Sequence, residues 1–473
     1  MRLLSKLRFW AENAPDRPAY VGAGRSLSYE KLWQDAERLG ALLSRYEPDS
    51  VVLYGDKEPE LVIGIIGCLL AGKAYVPISA GTPKERLEQI FRLLGNCLIL
   101  TGGASCPTGE SLSILEMLTH TAPAFRPSTD ETGTAYIVFT SGSTGVPKGV
   151  PISRKNLDHF TAWISELRPM RMPAPARVLN QASFSFDLST ADVCYSLCGG
   201  HTLYGMDPRL PEAPDALLSF LRENAIQVLV CTPTFLKLCL TDRSFSGESL
   251  PNLQLVYSCG EVLENAVAEK LFQRFRGLRL INAYGPTEAT SAVCAVEIGP
   301  EMASSKEALP VGLLEDAACE IGIEGGQIVL KGDSVSSGYL DGSTGGYYTK
   351  NGTPCFRTGD LGGIKNGLLY CYGRGDRQIK WKGYRIELDE IEQTILSLDG
   401  IKACAVVAKK NEAGIVRFVK AFVVPEGQMT AEQIRTGLSG KLPAYLIPKS
   451  ICIIAELPIT TNGKTDRRKL EEL

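Results

Sequence analysis

A large N-terminal α/β domain of layered β-sheets and helices, followed by a small α+β C-terminal domain, is predicted by three features of the chain. Through about residue 375, short β-branched runs alternate with amphipathic helical stretches, as expected of sheets covered by helices. From about Gly373 a charged, glycine-punctuated segment breaks that alternation. About a hundred residues of mixed character then follow, a size typical of a small domain. The expected division is 1–375 and 376–473. The length of 473 residues, 44% hydrophobic and 22% charged, suits a large globular core. Fifty basic against 53 acidic side chains exert no global pull on nucleic acid or anionic lipid, so neither is an expected partner.

The N-terminus, with basic residues, no sustained apolar core and Glu12 and Asp16 close behind, reads as an amphipathic helix and not a secretion signal. Ser50 to Tyr54 reads as a strand. The apolar run Leu61 to Gly72 has the length of a buried helix and is too short to cross a bilayer. Thr82 as cap, Pro83 at the first turn and Glu85 in a capping box open a helix whose stripe of Leu87, Ile90, Phe91 and Leu94 ends at Gly95. Core packing is its expected role. Ala135 to Thr140 reads as a buried strand, and Ala176 to Cys231 repeats strand, helix and strand, giving two related α/β layers. In the C-terminal part, Leu388, Ile391 and Ile395 mark a helical face. Strands at Ala403 to Ala408 and Arg417 to Val424, a helix from Thr430 to Leu442 and a strand at Ile451 to Ala455 follow.

Histidines are scarce and scattered, at His120, His159 and His201, which disfavours a histidine-based zinc site or catalytic triad. Fourteen cysteines lie between Cys68 and Cys452 without a C-x-x-C pair. They read as mostly buried, reduced thiols of a cytoplasmic protein.

The chemistry-bearing segment follows the buried strand: Thr140, Ser141, Gly142, Ser143, Thr144, Gly145, then Lys148 and Gly149. Its glycines let backbone amides crowd a polyphosphate, its hydroxyls are donors, and Lys148 brings a mobile charge. The spacing is not that of the P-loop, because Pro147 stands where the second glycine would be, and no G-x-S-x-G nucleophile elbow is present. A flexible surface loop is the alternative.

This loop resembles the signature of the adenylate-forming superfamily, which includes acyl-CoA synthetases, luciferases and the adenylation domains of nonribosomal peptide synthesis. Further motifs occur in the order expected of that family: Ala71 to Pro77, Phe186 to Ser189, Asn282 to Glu288, Phe356 to Leu361, Gly373 to Lys380 and Asn462 to Lys464. Together they span nearly the whole chain. The resemblance implies a mobile C-terminal lid with its hinge at Asp376, and ATP as a substrate used with magnesium. It assigns the nucleotide to the loop residues with Ala283, Tyr284, Gly285, Thr287, Asp360 and Arg374. Tyr284 would lie against adenine, Thr287 would contact the α-phosphate, Asp360 would accept from the ribose hydroxyls, and Glu288 would hold the metal, a role that suits a hard carboxylate. Lys464 takes the place of the catalytic lysine, with Thr287 and Lys148 assisting. A cation between two reacting anions stabilises the transition state.

In the amino-acid-activating branch of the family, the aspartate at the place of Asp187 pairs with the substrate ammonium, which implies an amino acid substrate. The projected pocket is Phe186, Asp187, Leu188, Ala191, Tyr257, Cys259, Ala283, Ser291 and Ala292. Apart from Asp187 it has no charged side chain and it carries bulk at Leu188 and Tyr257, so a small, uncharged side chain is expected. Ser258 to Leu263, with Cys259 before Gly-Glu-Val-Leu, resembles the stand-alone D-alanine:carrier-protein ligases. Ser79, Tyr257 and Trp381-Lys382 depart from that group's pattern. The expected activity is formation of an aminoacyl-AMP from D-alanine, L-alanine, serine or glycine. Transfer to the phosphopantetheine thiol of a separate carrier follows, since no carrier motif comes after Lys464. An acyl- or aryl-CoA synthetase and a non-catalytic, carrier-docking adenylate binder are the alternatives.

Overall fold

The computed structural model describes residues 1–142, 146–172, 175–381, 383–411, 415–459 and 465–473. By proximity the chain divides into two units. One contains Met1–Ala80, Leu94–Val138 and Val150–Gly373, and the other contains Gly81–Leu93, Phe139–Gly149 and Arg374–Leu473.

The first unit is built on three sheets. In the eight-stranded sheet the strands run in the order Cys294–Ile298, Arg279–Tyr284, Leu255–Ser258, Val228–Cys231, Arg177–Asn180, Thr202–Gly205, Pro18–Gly22 and Arg25–Ser28. The six from Arg279–Tyr284 to Pro18–Gly22 pair in parallel, and an antiparallel strand flanks each end. Parallel strands are covered on both faces, and their near-continuous Val, Leu and Ile content reflects that burial. The second sheet centres on Ser50–Tyr54, Ala74–Ile78 and Cys97–Thr101, also parallel. Helix Pro59–Ala71 is buried along almost its whole length and ends at Gly72, whose φ of +79° suits a residue without Cβ. A third, antiparallel sheet holds the long strand Thr353–Lys365. The main apolar cluster joins Val51, Leu53 and Ile66 to Val178, Val228, Tyr257 and Ile281.

The second unit has its own core. Helix Leu388–Leu396 and helix Ala431–Ser439 pack Ile391, Ile395, Ile434 and Leu438 against strands Ile401–Lys410 and Val416–Pro425, which carry Val406 and Val423. Thr430 and Gln433 form a reciprocal capping box that starts the second helix. Strand Ser450–Ile453 adds in parallel to Val416–Pro425. Helix Lys84–Leu94 buries Leu87 and Ile90 of the expected stripe, while Phe91 and Leu94 are half-buried. It also buries Arg86, which pairs with Glu390. The apolar periodicity carries no sign of that ion pair, so packing is only part of this helix's role.

All fourteen cysteines are free thiols, ten of them buried. Among the described residues no helix is long and apolar enough to cross a membrane.

Candidate active site

The parallel strands of the eight-stranded sheet end on one edge, and loops at the carboxyl ends of such strands are where open α/β sheets gather ligands. There the chain presents Phe186 and Asp187 after strand Arg177–Asn180, Cys259 after Leu255–Ser258, and Ala283 and Tyr284 at the end of Arg279–Tyr284. Asp187 is half-buried and immediately precedes helix Leu188–Gly199, without capping it through its side chain. Leu188, Ala191, Tyr257, Cys259, Ala283 and Ala292 belong to one buried apolar cluster, so the structure brings most of the projected pocket together. The Tyr257 hydroxyl is pushed well above its ordinary value, chiefly by burial and further by neighbouring thiols and the charge of Asp187.

Tyr284 and Asp360 meet directly. The Tyr284 hydroxyl donates to Asp360 Oδ2 at 2.6 Å, and both side chains are buried. Asp360 N donates to Thr358 Oγ1, which in turn donates to Ile328 O, so strand Thr353–Lys365 fixes the carboxylate. Burial and then the Asp360 charge hold the Tyr284 phenol protonated far above neutrality.

After Pro286 the chain makes a short 3-10 turn, Thr287–Ala289. Gly285 is required there, because a Cβ would lie 2.4 Å from Ala292 Cα. Glu288 is fully buried, and Tyr339 donates to its Oε1 at 2.5 Å. Glu288 is therefore not a solvated turn acid. Among the described residues no group of three or more His, Cys, Asp or Glu is arranged to hold a metal. A single oriented carboxylate nevertheless fits magnesium, which takes its other ligands from phosphate and water.

Predicted residues in the second unit form a separate group. Ser141 Oγ donates to Arg385 O at 2.7 Å and accepts from Glu387 N, while Gly142 N donates to Glu390 Oε2 at 3.2 Å. A Cβ on Gly142 would fall 2.0 Å from Val146 O. Thr140 ends its strand half-buried, and Lys148 begins the next, within electrostatic reach of Glu387. Burial raises Glu387 and Glu390, with arginines opposing the shift. Arg374 grips Asp376 with two hydrogen bonds, at 2.8 and 2.6 Å. Burial pushes Asp376 up, but Arg374 outweighs it and leaves the carboxyl below its ordinary value. Ser143, Thr144, Gly145 and Lys464 lie outside the described residues.

One buried cluster was not legible in any motif. Lys57 Nζ donates to Asn180 Oδ1 at 2.5 Å and to Ala182 O, and Asn180 Nδ2 donates to Asp192 Oδ2 at 2.8 Å. All three side chains are 5% exposed or less. Burial lowers Lys57 and raises Asp192, each opposed by the other's charge. The network braces the loop between strand Arg177–Asn180 and helix Leu188–Gly199, which carries Phe186 and Asp187. A lone lysine in the loop before a helix and an aspartate inside another helix gave no sequence signal. Ser79, a departure from the family pattern, donates to Asp56 Oδ1 at 2.5 Å.

The family model described as AMP-binding enzyme matches residues 7–340, and that of the AMP-binding enzyme C-terminal domain matches residues 390–464. The chain is 37% identical to the D-alanine--D-alanyl carrier protein ligase of Bacillus licheniformis, with 100% of this chain and 99% of the relative aligned. The ligase of the same name from Bacillus mycoides is also 37% identical, over 99% of each. Among solved structures, the adenylation domain AlmE of Vibrio cholerae, in complex with glycyl-adenosine-5'-phosphate, superposes with a TM-score of 0.83 at 24% identity, covering 100% of this chain and 96% of that one. The o-succinylbenzoate CoA synthetase of Bacillus subtilis reaches the same TM-score at 21% identity, covering 99% and 98%. These two likenesses establish the shared fold.

Proposed function

Because this chain belongs to the AMP-binding enzyme family, we propose that it activates a small amino acid with ATP and passes it to a carrier protein. The observation that carries this reading is the end-to-end likeness to ligases named for D-alanine and its carrier protein. Asp187, beside an otherwise uncharged pocket, supports an amino acid over a fatty or aryl acid, since a half-buried carboxylate gains from an ammonium partner.

The reaction has two steps. The substrate carboxylate attacks the α-phosphorus of ATP and pyrophosphate leaves, giving the aminoacyl-AMP. A carrier's phosphopantetheine thiol then attacks the acyl carbon and AMP leaves. Asp187 holds the ammonium, Tyr284 and Asp360 take the nucleoside, and Thr287 contacts the α-phosphate. Glu288, braced by Tyr339, would hold magnesium, which when bound neutralises developing charge on phosphate oxygens. Thr140 to Gly145 with Lys148 cradle the pyrophosphate end. Lys464 places its charge between the two anions of the first step. Arg374 faces the ribose or phosphate side of the nucleotide, and Asp376, which it grips, is the hinge on which the 376–473 lid turns between the steps.

Mass spectrometry of a phosphopantetheinylated carrier incubated with enzyme, ATP and D-alanine, L-alanine, serine or glycine tests the full reaction. The expected result is a mass gain equal to one aminoacyl group. Thioester formation on coenzyme A from a fatty or aryl acid, without carrier loading, overturns it. Lys464→Ala is expected to reduce adenylate formation by about a hundredfold or more while ATP still binds.

A further inference from the structure

The projected amino acid pocket is apolar except at three points: Asp187 and two hydroxyls. Tyr257 is fully buried, and among the described residues its hydroxyl has no hydrogen-bond partner. The molecule otherwise pairs most of the phenols it buries. Tyr20 donates to Lys57 O, Tyr29 to His201 O, Tyr195 to Met170 O, Tyr284 to Asp360 and Tyr339 to Glu288. Among the described residues the enclosed hydroxyl of Tyr136 is unpaired as well, and it borders a small internal cavity with Ser189 and Thr190, beside two other hydroxyls. Tyr257 has no such setting. Its ring shares a sheet face with Ile281 and Ala283, and its cluster contains Leu188, Ala191, Cys259 and Ala292.

Ser291 is the second unpaired hydroxyl, 4% exposed. It sits at φ +70°, directly after Thr290 at +61°, a backbone region that side chains other than glycine rarely occupy. Consecutive left-handed residues persist only where the surroundings hold them, and such strain gathers at ligand sites. Thr290 Oγ1 donates to Ser334 O, Ala292 N to Thr290 O and Val293 N to Tyr284 O, which fixes Ser291 against the end of strand Arg279–Tyr284.

We propose that Tyr257 and Ser291 select a small amino acid whose side chain carries a hydroxyl, in preference to one ending in a methyl. This rests on the amino-acid-activating reading above. An apolar wall with a few placed polar groups is how small-molecule sites achieve selectivity. A substrate hydroxyl satisfies the buried phenol, whereas a methyl leaves it unpaired, and sites built this way reject the analogue lacking the hydroxyl.

The test is ATP–pyrophosphate exchange by the full-length enzyme with serine, alanine and 2-aminobutyrate, each as both enantiomers. It is run on the wild type, Tyr257→Phe and Ser291→Ala. The expected wild-type preference for serine over alanine and 2-aminobutyrate is about tenfold or more in kcat/KM. Tyr257→Phe keeps the ring and is expected to cut the serine-to-alanine ratio about tenfold, with Ser291→Ala shifting it in the same direction. A wild-type preference for alanine, or a ratio unmoved by Tyr257→Phe, overturns the selectivity while leaving amino acid activation standing. Exchange with none of these amino acids, and none with glycine, overturns both.

Discussion

Lys57 shows how a single buried charge can organise a site it does not line. Its ammonium is desolvated, yet it satisfies Asn180 Oδ1 and Ala182 O and so braces the loop that leads to Asp187. Removing one partner of a buried charged network leaves the others unpaired, which costs more than the net worth of the bonds. Lys57→Met is therefore expected to lower unfolding stability by about 3 kcal/mol, read from the denaturant midpoint. A second buried base gives a pH prediction. His201 accepts from Ala176 N through Nδ1, and burial, aided by Arg17, lowers it from 6.5 to about 4. The unfolded chain binds a proton here more readily than the folded one, so this stability is complete above about pH 6.5 and declines as pH falls toward 4. His201→Gln is expected to flatten that acid slope in denaturation curves by up to about 3 kcal/mol. At this scale the family resemblance singled out candidates such as Asp360 and Glu288, and the structure shows both buried. The sequence could not reveal their partners: Tyr284 and Asp360 are 76 positions apart, and no local pattern joins them.

At the level of elements, hydrophobic periodicity was a dependable guide. Strand Ser50–Tyr54 has the expected bounds, and helix Leu388–Leu396 buries the expected Leu388, Ile391 and Ile395. The helix expected from Thr430 to Leu442 ends three residues earlier, at Ser439, before Gly440. Periodicity registers apolar faces only, so the charged side of helix Leu388–Leu396 went unread. Glu390 receives Gly142 N and pairs with Arg86, while Glu392 binds Arg377, Arg467 and Val406 N. Glu392→Ala is expected to destabilise the C-terminal unit by about 2 to 4 kcal/mol, seen as lowered protection in hydrogen exchange across strand Ile401–Lys410. The loop proposed to cradle the pyrophosphate depends on a glycine at position 142. Gly142→Ala drives a methyl into the Val146 carbonyl, and pyrophosphate exchange is expected to fall at least a hundredfold with the fold retained by circular dichroism.

For the molecule as a whole, the alternation of strands and helices and the change in character near Gly373 sufficed to predict a large α/β part and a smaller α+β part. What they could not indicate is that Gly81–Leu93 and Phe139–Gly149 group by proximity with Arg374–Leu473, hundreds of positions later. Contacts of that range have no period to detect. The proposed reaction activates an amino acid as its adenylate. It is tested most directly by ATP–pyrophosphate exchange with the purified enzyme across small D- and L-amino acids, with fatty and aryl acids alongside. Exchange dependent on a small amino acid, and absent with the other acids, is the predicted result. Exchange supported only by fatty or aryl acids would contradict the claim.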